Sequence, residues 1–284
     1  MRVSAFRPVP RAAPRALLGL VFLALVLGVA RPARADSDFF ERPTPDVSIY
    51  DVYPWLDGAI IVGSNAVTIG LYGFGDGLIT RRCPCDSSRV NSFDRPTIGN
   101  HSNTAYTIGT SIVGVSLIAP VALDLLDLRR FWPVFEDVTI YVEALSLSGA
   151  FDTVAKFAAQ RPFPRTYASD PTLVDKGSDY RSFYSGHTTL TFTALSVASM
   201  TIGRRYHHWV LPWVTTVLVG SSVAASMVLA GWHFPTDTIV GAVAGTAIGV
   251  VVPILHFSDL PVRPTLGVTP RGDGPALSLV GTWR

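Results

Sequence analysis

The stretch WVLPWVTTVLVGSSVAASMVLAGW, residues 209–232, runs for 24 residues without a charge and decides the fold. About 20 apolar residues are enough for a helix to cross the ~30 Å hydrocarbon core of a bilayer. Directly after it stands His233-Phe-Pro-Thr-Asp237, followed by a second uncharged run, Thr238–Leu255, of 18 residues. Further uncharged runs are Ser102–Leu123 with 22 residues, Thr188–Gly203 with 16 and Gly58–Gly75 with 18. A sixth segment, Val138–Ala159, is amphipathic, with Glu143, Asp152 and Lys156 set in an otherwise apolar stretch. Charges inside a span face the bundle interior or a water-filled site. In the last run Gly241, Gly245 and Gly249 recur every four residues, a small-residue stripe suited to close helix contact.

These runs predict an all-α, membrane-embedded bundle of about six core helices. The composition agrees. Of 284 residues 15% are charged and the mean hydropathy is +0.35, which excludes a disordered chain, a coiled coil or a highly charged binding domain. Lys plus Arg number 23 against 21 Asp plus Glu, for a net charge of +2, and no concentrated basic face suggests nucleic acid. Residues 1–35 read as a signal peptide or signal anchor: Arg2, Arg7, Arg11 and Arg15 precede an apolar run, and Ala33-Arg34-Ala35 offers a cleavage site. Residues 36–100 hold an N-terminal helix and a polar loop, 101–258 the helical core, and 259–284 a tail. In the tail, alternating segments flank the turn-rich Pro270-Arg-Gly-Asp-Gly-Pro275 and predict a short β-hairpin. Cys83-Pro84-Cys85 is too tight for an ordinary unstrained disulfide and has no further soft ligands nearby, so an incidental or structural pair is expected.

Six histidines are present, and their neighbours separate them. His207 and His208 sit beside Arg204 and Arg205 in a basic turn at the membrane surface, while His101 and His256 fall in no chemical pattern. His187 closes Ser185-Gly186-His187 at the start of an uncharged helix, where backbone N–H groups and the helix dipole favour an anion. His233 has a carboxylate four residues on; Asp237 is expected to accept the Nδ1 proton, fixing the tautomer and leaving Nε2 free. Asp237 also suits a helix cap. Lys156 ends the amphipathic helix ahead of Arg161-Pro-Phe-Pro-Arg165; a lysine there either meets an anion or snorkels to the surface.

In this order the three clusters resemble the type 2 phosphatidic acid phosphatase and vanadium haloperoxidase superfamily. Its pattern is Lys-x6-Arg-Pro, then Pro-Ser-Gly-His, then Ser-Arg-x5-His-x3-Asp. Lys156 and Pro164 match the first motif, Ser185-Gly186-His187 the second with Tyr184 in place of its proline, and Ser226, His233 and Asp237 the third. The arginine of the first motif falls on Phe163 and that of the third on Met227. The family uses these arginines to hold phosphate oxygens, and losing two charge-assisted bonds would cost on the order of 10² to 10⁴ in rate or affinity. Arg161, Arg165 and Arg181 are the candidate substitutes.

The resemblance implies a membrane-associated phosphatase acting on a phosphomonoester or diphosphate, most naturally of a lipid. His233 would attack phosphorus and form a phosphohistidine with Asp237 orienting it, and His187 would protonate the leaving group. Lys156, Ser185, Gly186 and Arg161 would bind the phosphate. No metal and no cofactor are expected; His187, His233 and Asp237 are metal-ligand types, but the lysine beside them favours an anion. The partners expected are a lipid phosphate and membrane lipids, with no nucleic acid; oligomeric state is unspecified. The second reading is a pseudo-phosphatase that keeps the fold and binds a lipid phosphate, or packs around the old site, without turnover. A haloperoxidase ranks third, since it too needs the arginines. Arg129-Arg130 and Arg204-Arg205 mark cytoplasmic loops and put the site on the periplasmic side of a bacterial inner membrane. That orientation conflicts with a cleaved leader if Gly58–Gly75 crosses the membrane. Its five glycines, with Ser64 and Asn65, suggest instead an interfacial or buried helix.

Overall fold

A computed structural model of the chain describes residues 47–168 and 176–259, together with the backbone of residues 262–271 and 274–283. The leader segment, 1–35, lies outside the described residues. Among those described, six long helices follow one another: α1 Pro54–Phe74, α2 Asn103–Asp127, α3 Phe131–Ala159, α4 Gly186–Tyr206, α5 Val210–Leu229 and α6 Pro235–His256. Two strands, β1 Val262–Arg271 and β2 Gly274–Trp283, pair antiparallel from Val262 opposite Trp283 to Arg271 opposite Gly274.

Among the described residues, four segments are long and apolar enough to cross a membrane: Pro54–Leu78, Asn103–Asp127, Val210–Leu229 and Pro235–His256. Of the two alternatives for Gly58–Gly75, interfacial or buried, exposure overturns the buried one. Val62 and Ile69 are 69% and 68% exposed, and a side chain added at Gly58, Gly63, Gly70 or Gly73 would meet nothing within 4 Å. These glycines line an outer face and seat no neighbour.

The inner helices are the polar ones. α4 buries Thr188, Thr189, Thr191, Thr193, Ser196, Ser199 and Thr201. Most of these hydroxyls are satisfied within the bundle, which makes them tolerable away from water. Thr189 Oγ1 donates to the Ser185 carbonyl (2.8 Å), Thr191 to His187 (2.8 Å) and Thr201 to Val197 (3.0 Å). Ser148 meets Thr193 across the α3–α4 contact (2.8 Å), and Ser199 meets Thr216 across α4–α5 (2.9 Å).

The closest contact is between α4 and α6, along the glycine stripe. A Cβ on Gly241 would lie 2.8 Å from the Ser185 carbonyl oxygen, one on Gly245 2.4 Å from that of Thr189, and one on Gly249 2.7 Å from that of Thr193. The backbones touch because no side chain intervenes. At the far end of α6, Tyr50 bridges to Phe257 and stacks on its ring at 5.5 Å. Arg205, read from sequence as part of a surface turn, is buried there: it donates to Asp137 (2.6 Å) and to the Val47 carbonyl (2.8 Å).

The polar loop after α1 is anchored rather than loose. Arg82 N and Cys83 N donate to the Tyr180 hydroxyl at 2.8 and 2.9 Å. Cys83 and Cys85 are joined as a disulfide with Cα atoms 4.2 Å apart.

Gly245→Ala tests the α4–α6 seam, since its methyl group would collide with backbone that cannot rotate away. A loss of about 1–3 kcal/mol is expected from such overpacking, read as a lower melting temperature in detergent. Gly63→Ala, in open space, is the control and leaves melting unchanged or slightly raised.

Candidate active site

The seam sets two helix starts side by side. Ser185 caps α4, its Oγ accepting from Thr188 N at 3.4 Å, and Gly186 and His187 open the first turn. α6 starts at Pro235, two residues after His233. Ser185 N donates to the Asp237 carbonyl at 3.1 Å, so the positive dipole ends of both helices meet at one mouth, a setting that favours an anion.

His233 is 4% exposed and its Nδ1 lies 2.7 Å from the Ser182 carbonyl oxygen. A carbonyl only accepts, so Nδ1 carries the proton and Nε2 presents a lone pair. The tautomer is the expected one, but its partner is not Asp237. The Asp237 carboxylate turns back onto its own helix start, where Oδ2 accepts from Phe234 N (3.0 Å) and from Ser182 Oγ (2.6 Å). Asp237 therefore holds the residue that holds His233. Burial pushes the His233 imidazole well below its ordinary value, and the charges of Lys156, His187 and Arg165 push the same way, against the Ser182 hydrogen bond. The ring is neutral at physiological pH.

Lys156 is buried at the end of α3. Its Nζ donates to the Tyr184 carbonyl (2.5 Å) and to the Asp152 carboxylate one helical turn back. Both groups press on the α4 start: a Cβ on Gly186 would lie 2.9 Å from Asp152 Oδ2 and 3.5 Å from Lys156 Nζ. Asp152 was visible in the sequence only as a charge in an amphipathic helix, although its i,i+4 spacing from Lys156 is that of a helical ion pair.

Arg161 is engaged on every side. Its guanidinium stacks over the Phe234 ring at 4.1 Å. Nη1 donates to Asp237 Oδ1 (2.5 Å) and Thr236 Oγ1 (2.8 Å), and Nη2 to Asp94 Oδ2 (2.7 Å). Asp94 is the residue that sequence reading missed. It comes from the polar loop, is fully buried, and also accepts from Thr236 N (3.0 Å), Thr236 Oγ1 (2.5 Å) and Asn91 Nδ2 (2.7 Å). Burial alone would raise its carboxyl, but the bonds from Arg161, Thr236 and Asn91 outweigh that and hold it below the usual range. No sequence motif marks it, because its partners Arg161 and Thr236 lie 67 and 142 residues away.

Aromatic rings wall the mouth. Phe163 stands edge-on to His233 (5.8 Å) and Trp232 (5.2 Å), and Tyr106 stacks on Trp232 (5.1 Å) and meets His187 (6.0 Å). Met227 is fully buried with Val113 and Val223; a Cβ on Gly109 would lie 2.4 Å from its methyl carbon. Arg165 lies over the Trp232 ring at 3.5 Å and the Phe163 ring at 5.1 Å. Arg181 pairs with Asp76 and stacks on Tyr72 and Phe157.

Residues 137–259 match the model of the PAP2 superfamily. Two solved structures are similar to the chain. LpxE of Aquifex aeolicus is 19% identical, the match covering 56% of this chain and 90% of that one, with a TM-score of 0.40. The first transmembrane PAP2 type phosphatidylglycerolphosphate phosphatase from Bacillus subtilis is 15% identical, with 69% and 93% covered and a TM-score of 0.41. No curated protein matches the chain.

Asp94→Ala would leave the Arg161 guanidinium and the Thr236 N–H without their carboxylate. Breaking a buried pair costs about 3–5 kcal/mol, so a fall in stability of that order is expected in denaturant titration. A change under about 1 kcal/mol, the scale of an exposed pair, would mean that the loop does not brace the α6 start.

Proposed function

We propose that the protein is a membrane phosphatase that hydrolyses a phosphomonoester or diphosphate of a lipid through a phosphohistidine. The observation that carries this reading is the hydrogen bond from His233 Nδ1 to the Ser182 carbonyl, which leaves Nε2 as a neutral nucleophile beside Lys156 and two helix starts. In the first step the Nε2 lone pair attacks phosphorus, the P–O bond to the leaving group breaks, and His187 gives that oxygen a proton. In the second, His187 takes a proton from water, the hydroxide attacks phosphorus, and the P–N bond breaks to release phosphate and neutral His233. Phosphoryl transfer of this kind needs positioning and charge stabilisation more than further covalent chemistry. Lys156 and the first N–H groups of α4, from Gly186 on, supply these, with Ser185 shaping the turn before them, and Asp237 keeps Ser182, and with it His233, in place.

Arg161 serves as a brace for Asp94 and Asp237 in this scheme, and Arg165, poised on Trp232 beside His233, is the arginine that meets the phosphate. No step uses a metal: both Asp237 side-chain oxygens are occupied by Ser182, Phe234 and Arg161. A lipid substrate suits a mouth whose helices are long enough to cross a bilayer. The Arg129-Arg130 turn lies at the other end of α3 from Lys156, which favours a periplasmic mouth in a bacterial inner membrane by the positive-inside rule.

The pseudo-phosphatase reading is favoured by one specific observation. The two positions that carry arginine in the family pattern hold Phe163 and Met227, 5% and 0% exposed, so apolar bulk stands where charge would grip phosphate.

Phosphate release from a panel of lipid and soluble phosphate esters, measured with detergent-purified protein and with His233→Ala, separates the two. Release by the native protein that His233→Ala abolishes supports the enzyme; equal background from both supports the pseudo-phosphatase. Arg165→Ala is expected to lower kcat/KM by about 10–100-fold, the value of one charge-assisted bond. Phe163→Arg is expected to raise activity, whereas Met227→Arg, packed against Gly109, is expected to destabilise the fold.

The pH profile is a second test. The charged imidazolium is the disfavoured form of His233, so its folded pKa lies below the ordinary 6.5 and the nucleophile stays neutral as pH falls through that value. The acid limb of kcat/KM should therefore lie well below pH 6.5. A limb at or above it would rule out His233 as the depressed nucleophile.

A further inference from the structure

We propose that Asp57, Glu143 and His256 form a binding site for a divalent transition-metal ion of the zinc type, at the end of the bundle opposite His233. The three residues come from the first turn of α1, the middle of α3 and the last residue of α6. Nineteen residues of helix, at 1.5 Å each, separate His256 from Asp237 by roughly 28 Å, so the site is distinct from the phosphatase mouth and independent of that reading.

All three side chains are buried, at 0%, 2% and 8% exposure. One ligand atom from each lies within 4.8 Å of the others: His256 Nε2 is 3.5 Å from Asp57 Oδ1 and 3.7 Å from Glu143 Oε2. Those separations are too long for hydrogen bonds. Among the described residues, Asp57 Oδ1 and Glu143 Oε2 have no hydrogen-bond partner at all, although both are shut off from solvent. Buried carboxylate oxygens left in this way cost several kcal/mol unless something compensates them.

The imidazole identifies what compensates them. His256 Nδ1 lies 2.8 Å from the Val252 carbonyl and donates to it, so the neutral ring turns an Nε2 lone pair toward two carboxylate oxygens. Three electron-pair donors converging without a hydrogen between them is a cation site, and a carbonyl holding the far ring nitrogen is the usual outer support of a metal-bound histidine. Size agrees. Tetrahedral ligands at 2.0–2.1 Å from zinc stand about 3.3–3.4 Å apart, and the Nε2 distances need to close by only a few tenths of an ångström. One nitrogen with two oxygens suits zinc, manganese or cobalt over calcium or magnesium, which prefer oxygen alone. Water would complete the shell. Bound there, the ion ties the start of α1 to α3 and α6 and neutralises the two carboxylates.

The test uses the full chain in detergent, purified on a tag without histidine. Metal content is measured by mass spectrometry; then melting is followed after EDTA dialysis and on adding back Zn²⁺, Co²⁺, Mn²⁺, Mg²⁺ or Ca²⁺ singly. Expected are about one equivalent of bound zinc, melting that falls with EDTA and recovers with Zn²⁺, and the intense visible absorption of four-coordinate Co²⁺. Glu143→Gln and His256→Gln, which keep size and polarity, should each weaken Zn²⁺ binding at least tenfold, while His233→Ala should leave it unchanged. No bound metal and no melting response in the native protein would overturn the proposal, as would equal Zn²⁺ binding by the folded variants. Because the native metal content and cobalt spectrum need no variant, a variant that fails to fold leaves the result readable.

Discussion

The contact on which the rest depends is the approach of α6 to α4 along Gly241, Gly245 and Gly249. With any side chain at these positions the backbones could not come so close, since each added Cβ would sit 2.4–2.8 Å from a carbonyl oxygen of α4. The closeness has a chemical result. It aligns the two helix starts, brings His187 and His233 to one mouth, and lets Ser185 and Asp237 share a backbone hydrogen bond. Helix association in a bilayer gains little from the hydrophobic effect and relies on such packing, so the device that builds the fold also assembles the candidate site.

Around that seam the polar groups form two separate systems. At the mouth, Asp94, Arg161, Asp237, Ser182 and His233 form one connected chain, from a loop carboxylate through a guanidinium to the imidazole. Every link but the last is a bond to a charged group, the stronger kind. Such a chain positions His233 without touching its Nε2. At the other end, Arg205 with Asp137 closes the bundle, and Asp57, Glu143 and His256 meet nearby without hydrogen bonds among them. Buried charge is costly, and the two ends handle it differently: the mouth satisfies its carboxylates with protein donors, while the far cluster is left to a cation.

Phe163 and Met227 are both built into apolar contacts. Phe163 joins Trp232 and Tyr106 in an aromatic wall, and Arg165 lies over that wall. Met227 sits in the apolar contact between α2 and α5. A guanidinium over an aromatic face is attracted to the ring, so Arg165 is held against this wall.

The sequence by itself determined the helical class, the runs long enough to cross a membrane, the glycine stripe, and the trio His187, His233 and Lys156. Each rests on composition or on spacing within one helix or turn, and such regularities need no knowledge of neighbours. Only the tertiary structure decided which groups pair. It turned Asp237 away from His233 toward Ser182, engaged Arg161 between two carboxylates, buried Arg205, and exposed the glycines of α1. It also brought in Asp94 and gathered Asp57, Glu143 and His256 from three helices, where His256 alone in the sequence had no chemical neighbourhood. Those outcomes include contacts between residues 158 positions apart, and a side chain's hydrogen-bond partner is set by the backbone that packing places within about 3 Å of it, which no local spacing encodes.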